Sequence, residues 1–203
     1  MEKKSFKKVF SVFKKNYKPI PLEIFGKNPY KTLVSTLLSS RTNDDTTLKA
    51  ANRLFLKAPN IRKLDQLGQL EIKNLIYPVG FYKTKAKYLK QLTEIVITKF
   101  KGVVPKTRGK LMELPGVGRK TANLVLNRAF NKPAIAVDTH VHKIANLLGW
   151  VKTKTPERTE EELIKILPKK YWPDTNRLFV SIGRQYNTDK KLLEFLKKEN
   201  LLS

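Results

Sequence analysis

Apolar residues return at intervals of three and four along almost the whole chain, and no segment sustains the strict alternation of a half-buried strand beyond a few residues. That periodicity restricts the chain to helices packed on helices, so the fold class is all-α. The series opens with Phe6, Val9, Phe10, Phe13 and Tyr17 inside a basic stretch from Met1 to Tyr17. A targeting peptide can also look basic, but an apolar stripe is what a packed element needs, and a folded amphipathic helix is the preferred reading. The next helix carries Tyr30, Leu33, Val34, Leu37 and Leu38 behind Pro29 in its first turn. Further helices are predicted over Asp44–Leu56, Glu71–Tyr77, Thr84–Phe100, Arg108–Glu113, Arg119–Phe130, Thr139–Leu148, Pro156–Leu167, Thr175–Tyr186 and Lys190–Leu201. Gly102 and Gly149 stand where helices should end, and Pro156 follows Thr155 as a first helical residue follows its N-cap. No low-complexity linker or repeat divides the chain, so any two-domain organisation must come from helices packing as two lobes.

Charge limits what such a bundle can bind. Lysine plus arginine number 42 against 17 acidic residues, a net charge of +25, and a compact body with that charge repels itself unless a polyanion neutralises it. Nucleic acid is the leading partner. A membrane surface is the other polyanion, but no apolar run approaches the roughly 18 residues of a spanning helix, and the basic residues are spread over the whole sequence. With 203 residues, 40% of them hydrophobic, the chain can bury a core without staples. It is expected to act as a monomer with no targeting or transmembrane segment, cytoplasmic and nucleoid-associated if its source is prokaryotic. The sequence has no cysteine, which excludes disulfides, thiolate nucleophiles, cysteine-ligated zinc and cysteine-ligated iron–sulfur clusters. Its two histidines, His140 and His142, point to different sides of a helix at that spacing, so no metal site and no cofactor are expected.

The most informative stretch is Leu114-Pro115-Gly116-Val117-Gly118-Arg119-Lys120-Thr121-Ala122, with a helical pattern on each side. It reads as a helix, a tight turn and a helix. Two glycines one residue apart let the backbone turn sharply, expose its amides and approach another backbone, and the following helix adds the positive end of its dipole. That arrangement suits a phosphate, although a bare Gly-x-Gly also serves an ordinary helix–helix turn.

In order and spacing, these residues resemble the endonuclease III branch of the helix-hairpin-helix DNA glycosylases. Leu114 to Asn127, and Ile135 to Val141 with Val137-Asp138-Thr139-His140-Val141 as its core, match that branch's motif. Ser35 to Thr42 and Val79-Gly80-Phe81-Tyr82 extend the likeness, and weaker matches run from Phe6 to Tyr186. The resemblance implies two helical lobes with DNA in the cleft between them. Residues 22–132 form one lobe and contain the hairpin, and residues 1–21 plus 133–203 form the other. It implies base-excision repair of duplex DNA: an N-glycosylase for damaged, oxidised pyrimidines that also cleaves abasic sites by β-elimination. Lys120 takes the place of the family's catalytic lysine and Asp138 that of its catalytic aspartate. Leu114, Pro115, Gly116, Val117, Gly118, Arg119, Thr121 and His140 fall among its DNA-binding positions, His140 being a structural or phosphate-facing residue without chemistry. A mismatch-specific pyrimidine glycosylase and a non-catalytic helix-hairpin-helix binding protein are the alternatives. Lys120 separates the last from the enzymes, because phosphate binding needs only glycines and amides.

Spacing allows Lys120 and Asp138 to meet. A helix over Arg119–Phe130 carries the chain about 18 Å from the hairpin, and the seven residues Asn131 to Val137 can return about 23–25 Å when extended. A lysine attacks carbon only as the free amine, so Lys120 needs its charge disfavoured by burial and by the positive start of its own helix. Asp138 precedes a helix whose amides favour its carboxylate, which suits it to stabilising positive charge on a sugar; the alternative is a plain N-cap.

Chemistry on a base also requires its extrusion, and inserted side chains must fill the vacancy. Arg41 lies where many members of the branch have glutamine and Phe81 where a wedge leucine is common, the alternatives being a surface arginine and a core phenylalanine. The largest departure is near the end. Many members close with four cysteines that hold an iron–sulfur cluster, whereas Gly183-Arg184-Gln185-Tyr186-Asn187 here runs into a lysine-rich tail. Lysines 190, 191, 197 and 198 are expected either to supply DNA contact in its place or to be merely solvated.

Overall fold

A computed structural model describes residues 5–202 and is all-helical among them, with twelve α-helices and two short 3-10 segments. The first four residues of the basic N-terminal stretch, and Ser203, lie outside the described residues. The chain divides into two compact units, Pro21–Lys132 and the segments on either side of it.

In the middle unit, α2 (Pro29–Ser39) is the central helix, buried from Tyr30 to Leu38 with the single exception of Lys31. It packs against α3 (Asp44–Lys57), α6 (Tyr82–Thr98) and α8 (Arg119–Phe130), and the short α4 (Ile61–Asp65), α5 (Gln69–Ile76) and α7 (Arg108–Met112) complete the layer. The starts are written in the sequence. Asn28, Asn43 and Asn60 each accept from the amide three residues on, at 3.0, 2.8 and 3.0 Å, which satisfies donors the helix leaves open. Gly102, at φ +78°, closes the end of α6 by donating to Val96 O at 2.8 Å. Four starts lie earlier than the periodicity predicts: α5 at Gln69, α6 at Tyr82, the eleventh helix at Trp172 and, by one residue, the twelfth at Asp189. The added first-turn residues of α5, Gln69 and Leu70, are exposed and off its apolar stripe, whereas Trp172 packs against the core of its own unit. The helix Ile61–Asp65 was not expected at all, since a five-residue segment shows no repeat.

The outer unit gathers α1 (Phe6–Lys15), α9 (Thr139–Leu147), α10 (Pro156–Ile166), α11 (Trp172–Gln185) and α12 (Asp189–Lys198). An aromatic cluster joins them: Phe13 meets Phe179 edge-on at 5.0 Å, and Phe10 stacks on Tyr171 at 4.4 Å. The N-terminal strand of chain is tied to α11 by Ser181 Oγ, which accepts from Lys18 N and donates to Lys18 O, both at 2.8 Å. Gly149, at φ +67°, ends α9 with Trp150 N reaching back to Ala145 O at 3.1 Å.

Candidate functional site

The hairpin is built on two buried anchors, Leu114 and Val117, joined by a bond from Val117 N to Leu114 O of 3.0 Å. Gly116 sits between them at φ +78°, and a Cβ there would stand 2.7 Å from the Tyr88 ring. Glycine is required twice over, by conformation and by space. Gly118 differs. Its backbone is extended, at φ −87° and ψ −179°, and a Cβ would meet nothing within 4 Å. The expectation that both glycines make the turn therefore holds for Gly116 alone. Gly118 is the N-cap of α8 and offers no side-chain cap, so the first turn of that helix is approached over open space. Pro115, Arg119 and Thr121 are half-buried around it.

Lys120 is the second residue of α8, and its side chain is exposed. The expected burial is absent because the core-facing positions of this helix begin at Ala122. The positive end of the helix dipole is what the free protein supplies to it.

Asp138, in the other unit, is the N-cap of α9. Its Oδ1 accepts from Val141 N at 2.9 Å, and the second carboxylate oxygen is not used by that cap. The preceding run Ile135-Ala136-Val137 is buried, and Asn176 Nδ2 donates to Ala136 O at 3.0 Å, which fixes the entry to the helix. His140, two residues on, is half-buried, and its ring takes the room left by Gly183: a Cβ there would lie 2.2 Å from His140 Nδ1. Sequence reasoning gave Gly183 no part in the site, although a glycine inside an amphipathic helix is a signal of close approach. His142 points elsewhere, with Nδ1 2.6 Å from Thr159 Oγ1. Among the described residues no three His, Cys, Asp or Glu side chains group as metal ligands.

Arg41 and Phe81 both occupy the left-handed region, at φ 54° and 57°. Such conformations cost side-chain-bearing residues energy and persist only where surroundings enforce them. Phe81 is 60% exposed, which removes the core reading for it, and the Arg41 guanidinium lies 5.3 Å from its ring centre. The two loops touch: a Cβ on Gly80 would stand 2.6 Å from Arg41 O. Beneath them is a pocket of about 200 Å³ whose walls include Leu37, Tyr88, Gly116 and Lys85. Lys85 was invisible in so basic a sequence. It is 6% exposed, and burial pushes its ammonium from 10.5 down to about 8.

The segment after α11 does not fit a cysteine-ligated cluster, since the sequence has no cysteine. That stretch leads instead into α12. Tyr186 stacks on Phe195 at 4.2 Å, and Leu192, Phe195, Leu196 and Leu201 are buried in the core of their unit. Lysines 190, 191, 197 and 198 are exposed on the other face. The tail is thus a packing element first, a role the charge run concealed.

A model described as the HhH-GPD superfamily of base excision DNA repair proteins matches residues 34–169. An endonuclease III of Thermotoga maritima is 46% identical over 158 residues, 78% of this chain and 74% of that protein. An endonuclease III-like protein 1 of Mus musculus is 43% identical over 159 residues, and the chain spans only 53% of its length. A solved structure of a trapped endonuclease III–DNA covalent intermediate, in an estranged-adenine complex, aligns with a TM-score of 0.81 at 31% identity, covering 94% of this chain and 90% of that one.

Proposed function

Because the chain belongs to the HhH-GPD superfamily of base excision DNA repair proteins, we propose that it excises damaged pyrimidines from duplex DNA with Lys120 as the nucleophile and Asp138 as its acidic partner. The protein is a DNA glycosylase with abasic-site lyase activity. The observation that carries the assignment of Lys120 is its position: an exposed amine in the first turn of α8, directly behind the uncovered Gly118. Phosphate binding needs the hairpin backbone alone; the lysine adds a nucleophile.

In this reading a phosphate seats on the hairpin while Arg41 and Phe81 fill the space the extruded nucleotide leaves. The Lys120 amine forms a bond to the sugar C1′ as the C1′–base bond breaks, and the departing base takes up a proton. Opening of the sugar gives a Schiff base. Loss of a proton from C2′ then expels the 3′ phosphate, and water releases the lysine, leaving a nicked strand. Asp138 stabilises the positive charge that develops on the sugar and moves protons. DNA covers the exposed lysine and closes it off from bulk water. This chemistry requires neither a metal nor a cluster. The division into a domain of residues 22–132 and a second from residues 1–21 plus 133–203 belongs to the same proposal, as does action at the cytoplasmic nucleoid if the source is prokaryotic.

Borohydride should trap a covalent adduct between the protein and lesion-bearing or abasic DNA, and Lys120→Ala should abolish both adduct and nick. Undiminished trapping in that variant would reject the nucleophile. Asp138→Asn keeps an oxygen for Val141 N and should fold normally, yet lose base excision by about a hundredfold or more. Unchanged turnover would leave Asp138 a helix cap. A panel of duplexes, each with one oxidised or mismatched pyrimidine, separates the preferred reading from a mismatch enzyme by which substrate is cut fastest.

A further inference from the structure

Lys85 lies one turn beyond Phe81 in α6, buried, with its ammonium donating to Leu38 O at 2.8 Å, to Ser40 O, and to Thr42 Oγ1 at 3.3 Å. An ammonium has three N–H donors, and here are three acceptors. Two of them, Ser40 O and Thr42 Oγ1, stand on either side of Arg41. Thr42 Oγ1 also accepts from Gly80 N at 3.0 Å, immediately before Phe81. One cation thereby joins the 40–42 loop to the 79–81 loop through a continuous chain of hydrogen bonds.

Burying a charge with no opposite charge beside it is costly, and an apolar side chain would fill the same place more cheaply. No carboxylate lines the pocket around Lys85, where Arg41 and Tyr88 are the other charged or titratable groups; Asp65 of α4 pairs with Lys90 instead, at 3.6 Å. What the lysine supplies and a leucine could not is a set of donors to loop carbonyls. We propose that Lys85 is a positioning residue for base extrusion: its three donors lock the two loops together, so that Arg41 and Phe81 are held in their left-handed conformations and enter the duplex as one unit. This rests on the reading of those two side chains as the gap fillers.

The lock has a pH signature. With the ammonium titrating at about 8, the neutral amine above that pH has only two donors for three acceptors. Extrusion should therefore weaken as pH rises through about 8. Stability should move the opposite way, because between about 8 and 10.5 the unfolded chain binds the proton that folded Lys85 has released. A buried lysine that only fills space would give the stability trend without the extrusion trend, so the extrusion profile is the one that discriminates.

The test uses the full chain and a duplex with one oxidised thymine next to 2-aminopurine, whose fluorescence rises on unstacking and reports extrusion without cleavage. Lys85→Met keeps the apolar stem and removes the donors. It should lower extrusion and excision by about tenfold or more, lose much less on a preformed abasic site, and lack both pH trends of the parent. Thr42→Val removes the acceptor shared with Gly80 and should show a smaller loss that does not add to that of Lys85→Met. Parent-like extrusion with a parent-like pH profile in Lys85→Met would overturn the proposal, as would equal losses on both substrates with a lower Tm. Should Lys85→Met fail to fold, an unimpaired Thr42→Val together with a flat parental pH profile would overturn it. Failure of the catalytic reading would look different: a parent that extrudes the base and cuts neither substrate.

Discussion

Single residues divide here between those the backbone demands and those a ligand demands. Gly116 is of the first kind: at φ +78°, with the Tyr88 ring 2.7 Å from where a Cβ would go, it tolerates no side chain. Gly116→Ala should lower stability by about 1–3 kcal/mol, read as a fall in the denaturation midpoint. Gly118 has extended backbone and open space around it, so Gly118→Ala should change stability by less than about 1 kcal/mol. Its cost should appear in DNA affinity, because the methyl group stands where a phosphate would approach the first turn of α8. Titrations with labelled duplex, beside thermal melts of both variants, check the contrast, and parallel losses in the two would mean that Gly118 also serves the turn. Sequence reading found the Gly-x-Gly pair but could not separate the two roles, since sign of φ and clearance are tertiary facts. Lys120 and Asp138 were singled out as candidates by the motifs around them, and they stand at the starts of α8 and α9. Lys85 was not, because nothing local distinguishes a lysine that reaches carbonyls 45 to 47 residues away.

At the scale of elements, the helices were legible wherever an apolar stripe repeats for two turns or more; of the two five-residue helices, Arg108–Met112 was expected from its place before the hairpin and Ile61–Asp65 was missed. The last helix shows how charge misleads. Its lysines suggest a solvated or DNA-facing tail, yet Leu192, Phe195 and Leu196 recur at three- and one-residue steps on its inner face and are buried against the outer unit's core. Helix α12 is therefore expected to carry stability that a disposable tail would not. Phe195→Ala removes a ring stacked on Tyr186 and should cost about 3–5 kcal/mol. Lys197→Ala, on the exposed face, should stay within about 0.5 kcal/mol of the parent. Urea denaturation of the two variants reads this directly. A Phe195→Ala protein as stable as its parent would return α12 to the role of an appendage.

For the molecule as a whole, the net charge of +25 makes a statement about binding that no single contact makes. Each phosphate neutralised by a lysine or arginine releases condensed counterions, so affinity falls with log salt at a slope of about 0.9 per phosphate contact in duplex DNA. A footprint of 6–10 contacts would lose about 10³–10⁵ in affinity between 50 and 200 mM salt. We expect that steep slope on lesion-free duplex and on lesion duplex alike, because the charge reads the backbone and the extruded base is read by short-range contacts that salt does not screen. The lesion should shift the line vertically without changing its gradient. By the same reasoning the single-turnover rate on saturating DNA should barely depend on salt, since the phosphates are already engaged when Lys120 attacks. Exchanging exposed Lys190, Lys191, Lys197 and Lys198 for glutamine should leave Tm nearly unchanged and flatten the slope by about 0.9 for each contact that α12 makes. Fluorescence anisotropy across a salt series, with parent and variant on both duplexes, measures all of these quantities. A shallow parental slope, or one that steepens only with the lesion, would mean that the positive charge is not the footprint of the DNA backbone.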